Sequence, residues 1–207
     1  MINEILPSRW RDLIERAALA GLMLAFCARV NNGVTSGIES PIAYFVLVGE
    51  ALILGFTMFN RRATDRSSTL RDWFLGFAGT AAPLFANVGG AAALPIALIA
   101  PLCVIALSLQ IAAKLNLNRS FGIIPANRGV VTTGFYAVVR HPIYASYVLG
   151  HIAFLLLNPT LWNAGVYVLG LALQVMRMSA EERLLGNDPA YRAYLRRVRY
   201  RLAPGIY

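Results

Sequence analysis

Six long apolar stretches dominate this chain of 207 residues, at about 13–30, 41–59, 73–88, 91–113, 143–157 and 161–180. A helix crosses a hydrocarbon layer of about 30 Å with about 20 mostly apolar residues. The third and fifth stretches are short, and Pro83, Pro95 and Pro101 are placed to kink their helices. The spacing therefore predicts five or six spans. The fold class expected is all-α: a polytopic membrane protein, 1–207 being one integral-membrane domain. Spans fill 1–113, and 114–207 form a C-terminal core. Composition agrees, because 14% of the residues are charged and the mean hydropathy is +0.58, whereas soluble domains carry about a quarter charged residues.

The net charge is +9, and its distribution decides its meaning. With six spans and an inner N-terminus, the inner pieces are 1–12, 60–72, 114–142 and the tail after about 180. All but one of the 19 lysines and arginines fall in or beside them; Arg29, at an outer end, is the exception. The opposite loops, near 31–40, 86–91 and 158–160, carry none. Such a bias orients a membrane protein with both ends cytoplasmic. It assigns the positive charge to topology, so no nucleic-acid partner is expected, and no obligate protein partner is evident. A bacterial inner membrane is the expected location, and the first apolar stretch is read as a retained span.

Cys27 and Cys103 sit in apolar runs without a CxxC or Cys/His cluster, so neither a structural disulfide nor a metal site is expected.

Three polar constellations remain. The segment from Arg119 to Tyr144 is glycine-rich and basic, and Pro142 suits the first turn of a helix. Arg140 and His141 then lie at a helix N-terminus, a seat for an anion or merely a headgroup anchor and cap. Glu181 and Glu182 end the sixth stretch, where adjacent acids oppose the helix dipole unless a cation meets them. A ligand's positive charge or a neighbouring arginine serves equally. Gln174, Arg177 and Glu181 share that helix's face. In the tail, Tyr191, Tyr194, Leu195 and Val198 form an apolar stripe opposite arginines, as in an interfacial amphipathic helix; the tyrosines are equally able to roof a pocket. Glu50, Gln110 and His151 are polar residues inside apolar stretches, either interhelical hydrogen bonds or site residues.

Together these pieces resemble the isoprenylcysteine carboxyl methyltransferase family and its phospholipid methyltransferase relatives. The resemblance rests on Gly134-Phe135-Tyr136, Arg140-His141-Pro142-x-Tyr144, Glu181-Glu182, Tyr191-x-x-Tyr194 and Pro204, over about 115–207. It implies an S-adenosylmethionine-dependent methyltransferase with 114–207 as its cofactor-binding core, acting on a lipid or a prenylated or small lipophilic acceptor that reaches the site laterally. Val131, Thr132, Gly134, Tyr136, His141, Tyr144 and Glu182 are implied to hold the cofactor, and Arg140 and Glu181 to act at the reaction centre. A glutamate or tyrosine would serve as base for an amine acceptor. Two positions depart from the family's pattern, Phe135 and Ser146, the second expected to reshape the pocket wall. The alternatives are an NADPH-dependent membrane reductase resembling sterol reductases, which share an Arg-His pair and a similar tail, and a non-catalytic transporter or subunit using Glu50, Gln110 and His151.

Overall fold

The computed structural model describes residues 8–35, 63–87 and 90–207, and these are mostly helical. Among the described residues six α-helices run in order: α1 (Ser8–Thr35), α2 (Leu70–Ala81), α3 (Ile96–Leu117), α4 (Pro142–Leu157), α5 (Leu161–Leu185) and α6 (Pro189–Arg197). Two-residue strands, β1 (Asp65–Arg66) and β2 (Ala126–Asn127), pair antiparallel. The expected span at 41–59, with Glu50, lies outside the described residues, as do the side chains of Cys27 and Arg29.

Local chemistry sets the helix ends. Thr69 accepts from the Asp72 N–H and starts α2, while Thr160 accepts from the Asn163 N–H and starts α5. These hydroxyls satisfy backbone donors that a helix start leaves open. Pro142 occupies the first turn of α4, as expected. Pro95 precedes α3, so that helix begins at Ile96 rather than near 91 and runs on to Leu117. Pro101 lies inside it.

Among the described residues, one helix is long and apolar enough to cross a membrane, Ile96–Leu117, and Pro142–Leu157 is a shorter apolar helix. The stretch expected as a span at 73–88 is instead the short α2 followed by a 3-10 turn at Ala82–Phe85. α3 lies along α4, and α2 lies against α5. Large apolar side chains on α3 and α5 face outward, among them Leu98, Ile105, Leu161 and Val168, as suits a surface bathed in lipid.

The connector between α3 and α4 is tied down from several sides. Glu15 of α1 is buried, and its Oε1 accepts from the Ile123 and Ile124 N–H groups at 2.7 and 3.1 Å. Its Oε2 lies 3.1 Å from Arg128 and 3.2 Å from Arg66. Gly76 of α2 permits close approach of the same loop, since a Cβ there would sit 3.0 Å from the Ile123 carbonyl oxygen. Asn163 is fully buried and bridges backbone on both sides, donating to the Asn87 and Asn158 carbonyls and accepting from the Asn87 N–H.

Candidate functional site

The connector, the end of α5 and the C-terminal tail meet around one cleft. The tail returns beside the connector, where the N–H groups of Arg140 and His141 donate to the carbonyls of Tyr200 and Arg201 at 2.9 and 2.8 Å. This pairing aims Arg201 at Glu182, which it contacts through two nitrogens at 3.0 and 2.6 Å. Arg140 adds an ion pair at 2.9 Å, and His141 Nε2 lies 3.0 Å from the same Oε1. Three basic side chains thus converge on Glu182.

Burial would raise Glu182, but hydrogen bonds from His141 and Arg201, then the charges of His141 and Arg140, outweigh it and hold it at about 2 against 4.5. Of the two cations left open for the acidic pair, arginines and His141 meet Glu182. It is not among the residues lining the cleft.

Glu181 does line the cleft. Its Oε1 accepts from the Tyr144 hydroxyl at 2.6 Å and lies 3.3 Å from Arg177 Nε. Oε2 stands 3.9 Å from His141 Nδ1, beyond hydrogen-bond reach. Arg177 is buried; its Nη2 donates to the Gly122 carbonyl, and its guanidinium lies 5.5 Å from the Tyr144 ring centroid.

The cleft leaves about 120 Å³ open to the centre of a water molecule, and about 880 Å³ of empty space with its mouth included. Tyr136, Tyr144, Tyr147, Tyr191 and Phe121 give it aromatic walls. Burial, then the charge of Glu181, pushes the Tyr136 phenol up, and burial brings Tyr194 to about 12. Burial also raises Tyr191. These phenols keep their protons at neutral pH. Arg140 lines the cleft, and its buried Nε has no hydrogen-bond partner among the described residues.

Of the residues singled out in the sequence, Val131, Tyr136, Arg140, His141, Tyr144 and Glu181 line the cleft. Thr132 and Gly134 do not. The Thr132 carbonyl accepts from Arg197, and Gly134 adopts φ +60° where a Cβ would strike the Asn116 amide. That amide's oxygen accepts the Phe135 N–H, so Gly134 serves the turn. Ser146 also lies away from the cleft, fully buried and donating to the Ile143 carbonyl. The stripe on α6 faces inward rather than toward a membrane surface: Tyr191, Tyr194 and Val198 are buried against Val130 and Leu185.

Glu15, Arg177 and Arg201 hold the cleft together without having been singled out for that work. A lone acid in an apolar run was the one sequence signal for Glu15. His151 is stacked on Tyr167, 4.5 Å between centroids, and Gln110 lines a second cavity.

Residues 97–187 match the model of the isoprenylcysteine carboxyl methyltransferase (ICMT) family. Over those residues, which include most of the cleft, the chain is similar to that family. The match spans somewhat less than half the chain and ends just past the glutamate pair. It points to a membrane methyltransferase, in keeping with the apolar α3. No curated protein matches the chain.

Proposed function

We propose that the protein transfers a methyl group from S-adenosylmethionine to a lipophilic or membrane-accessible acceptor. One observation carries this reading: Tyr144 of α4 and His141 of the connector, both lining the cleft, reach Glu181 and Glu182, 37 and 41 residues away, at hydrogen-bond distance. The residues fit such a cofactor. Glu181 offers Oε2 to a positive sulfur or ammonium, and the unpartnered Nε of Arg140 suits a carboxylate. Aromatic walls suit a planar base.

When bound, S-adenosylmethionine supplies a methyl group on a positive sulfur, already activated for in-line displacement. The protein's part is then chiefly alignment. Glu181 presents its carboxyl group to the cleft. Tyr144 and Arg177 fix its carboxylate by engaging Oε1. His141 is a positioning residue, locked by Glu182 and lying between the two acids. The inner-leaflet side of the membrane, with both chain ends cytoplasmic, is the orientation that the arginine distribution favours; the bacterial inner membrane remains the proposed location.

Calorimetry on the purified protein tests the reading. S-adenosylhomocysteine binds and NADPH does not; binding of NADPH alone would overturn the proposal in favour of a reductase. Glu181→Gln weakens S-adenosylmethionine at least tenfold, about 1.4 kcal/mol, and weakens the uncharged-sulfur product less. Mass spectrometry of membranes given labelled S-adenosylmethionine then identifies the methylated lipid.

A further inference from the structure

A second cavity lies two helical turns deeper among the helices, bounded by Gly79 and Thr80 of α2, Gln110 of α3, Gly150 and His151 of α4, and Gln174 of α5. It leaves about 180 Å³ open to the centre of a water molecule. Phe121, Tyr147 and Arg177 line both this cavity and the cleft. The two chambers therefore adjoin at these three side chains.

Its polar groups are specific. Gln174 is 2% exposed, and its Oε1 is buried without a hydrogen-bond partner. Buried carbonyl oxygens are nearly always answered, so this atom favours an occupant bearing a donor. The His151 ring is stacked on Tyr167 at an interplanar angle of 17°, which occupies its face and leaves the nitrogen-bearing edge for hydrogen bonding. Arg177 is already committed: Nη1 to Thr80, Nη2 to the Gly122 carbonyl and Nε beside Glu181. An anionic head would have to displace those partners. An ammonium head would face Arg177 itself.

We infer that this second chamber binds the head of the methyl acceptor, a neutral group on an apolar tail carrying an O–H or N–H that Gln174 Oε1 accepts. The inference rests on the methyl-transfer reading and narrows its substrate class. The chambers adjoin at Phe121, Tyr147 and Arg177. In the transfer the acceptor's oxygen or nitrogen lone pair would form the new bond to the methyl carbon as the carbon–sulfur bond breaks, and the released proton would pass to the His151 imidazole that lines the same chamber.

Photolabelling in lipid nanodiscs tests it, with a diazirine-bearing 4-alkylphenol as probe and S-adenosylhomocysteine binding measured in parallel. The label maps to α4 and α5 around Gly150 and Gln174, and 4-octylphenol protects at least fivefold better than its methyl ether, 4-octylanisole. Gln174→Leu erases that difference, and Gly150→Leu, which fills the chamber, abolishes labelling. Both variants still bind S-adenosylhomocysteine. Equal protection by phenol and ether in the unaltered protein overturns the inference, as does labelling that persists in Gly150→Leu. Failure of the unaltered protein to bind S-adenosylhomocysteine overturns instead the methyl-transfer reading beneath it.

Discussion

Two glutamates show how burial and partners assign work to single residues. Glu182 carries its charge against Arg140, His141 and Arg201, and its pKa is held at about 2 against 4.5. Because the folded value is the lower one, this carboxylate stabilises the fold fully above about pH 4.5 and loses that contribution as pH falls toward 2. The linkage is at most on the order of 3 kcal/mol. Melting curves between pH 6 and 2 read it directly: the protein loses stability in that window, and Glu182→Gln removes part of the slope. An unchanged slope in the variant would refute the assignment. Glu15 is the second case. Its carboxylate answers two backbone N–H groups and two arginines inside the protein, and removing one partner of a buried ion pair costs about 3–5 kcal/mol. Glu15→Ala therefore lowers the melting temperature sharply, and a melt within a degree of the parent would show the clip to be dispensable.

At the scale of elements, the site depends on how closely α2 approaches the loop 121–124. Gly76 sits at that crossing, with the Ile123 carbonyl oxygen and Cγ2 at 3.0 and 3.1 Å from where a Cβ would stand. Gly76→Val forces the loop away and costs about 1–3 kcal/mol through overpacking. Because Phe121, Gly122 and Ile124 line the cleft, it also weakens S-adenosylhomocysteine. Loss of stability with unchanged affinity would separate the crossing from the site. This crossing was illegible in the sequence, since nothing local to Gly76 names Ile123 as its neighbour. Helix starts were more legible: Pro142 fixed the start of α4, and the apolar run from 161 marked α5. Pro95 overrode apolar composition at the start of α3, and α2 ended early at Ala81 although its sequence stays apolar. His141 and Glu181 were legible as site candidates because polar residues at apolar helix ends need partners, and Tyr144 through the resemblance. Thr132 and Gly134, taken from the resemblance, lie beside the cleft lining rather than in it, because a glycine-rich segment marks a turn without saying which way it faces. Glu15 went unread in the sequence, its backbone partners lying 108 and 109 residues away.

Over the whole molecule, the last residues of the chain complete a site whose other parts lie far earlier. The carbonyls of Tyr200 and Arg201 accept the N–H groups of Arg140 and His141, and Arg201 grips Glu182 from the far side. The Tyr207 main-chain oxygen accepts the Arg201 and Leu202 N–H groups, which curls residues 201–207 into a closed turn. A chain ending at Val198 keeps the described helices α1 to α6 and the apolar contacts of Tyr191 and Tyr194, yet loses both backbone ties and one of the cations on Glu182. Arg140 and His141 are then positioned only by side-chain contacts at the helix N-terminus. The truncated protein is expected to insert into membranes with an unchanged far-ultraviolet circular dichroism spectrum, while S-adenosylhomocysteine affinity falls at least tenfold, about 1.4 kcal/mol. In the full chain, Arg201→Lys loses less, because an ammonium keeps the charge but cannot reproduce a planar two-nitrogen contact. That ordering separates the backbone ties from the ion pair: equal losses in the two variants would make the guanidinium contact the whole effect, and full affinity in the truncated chain would remove the tail from the site.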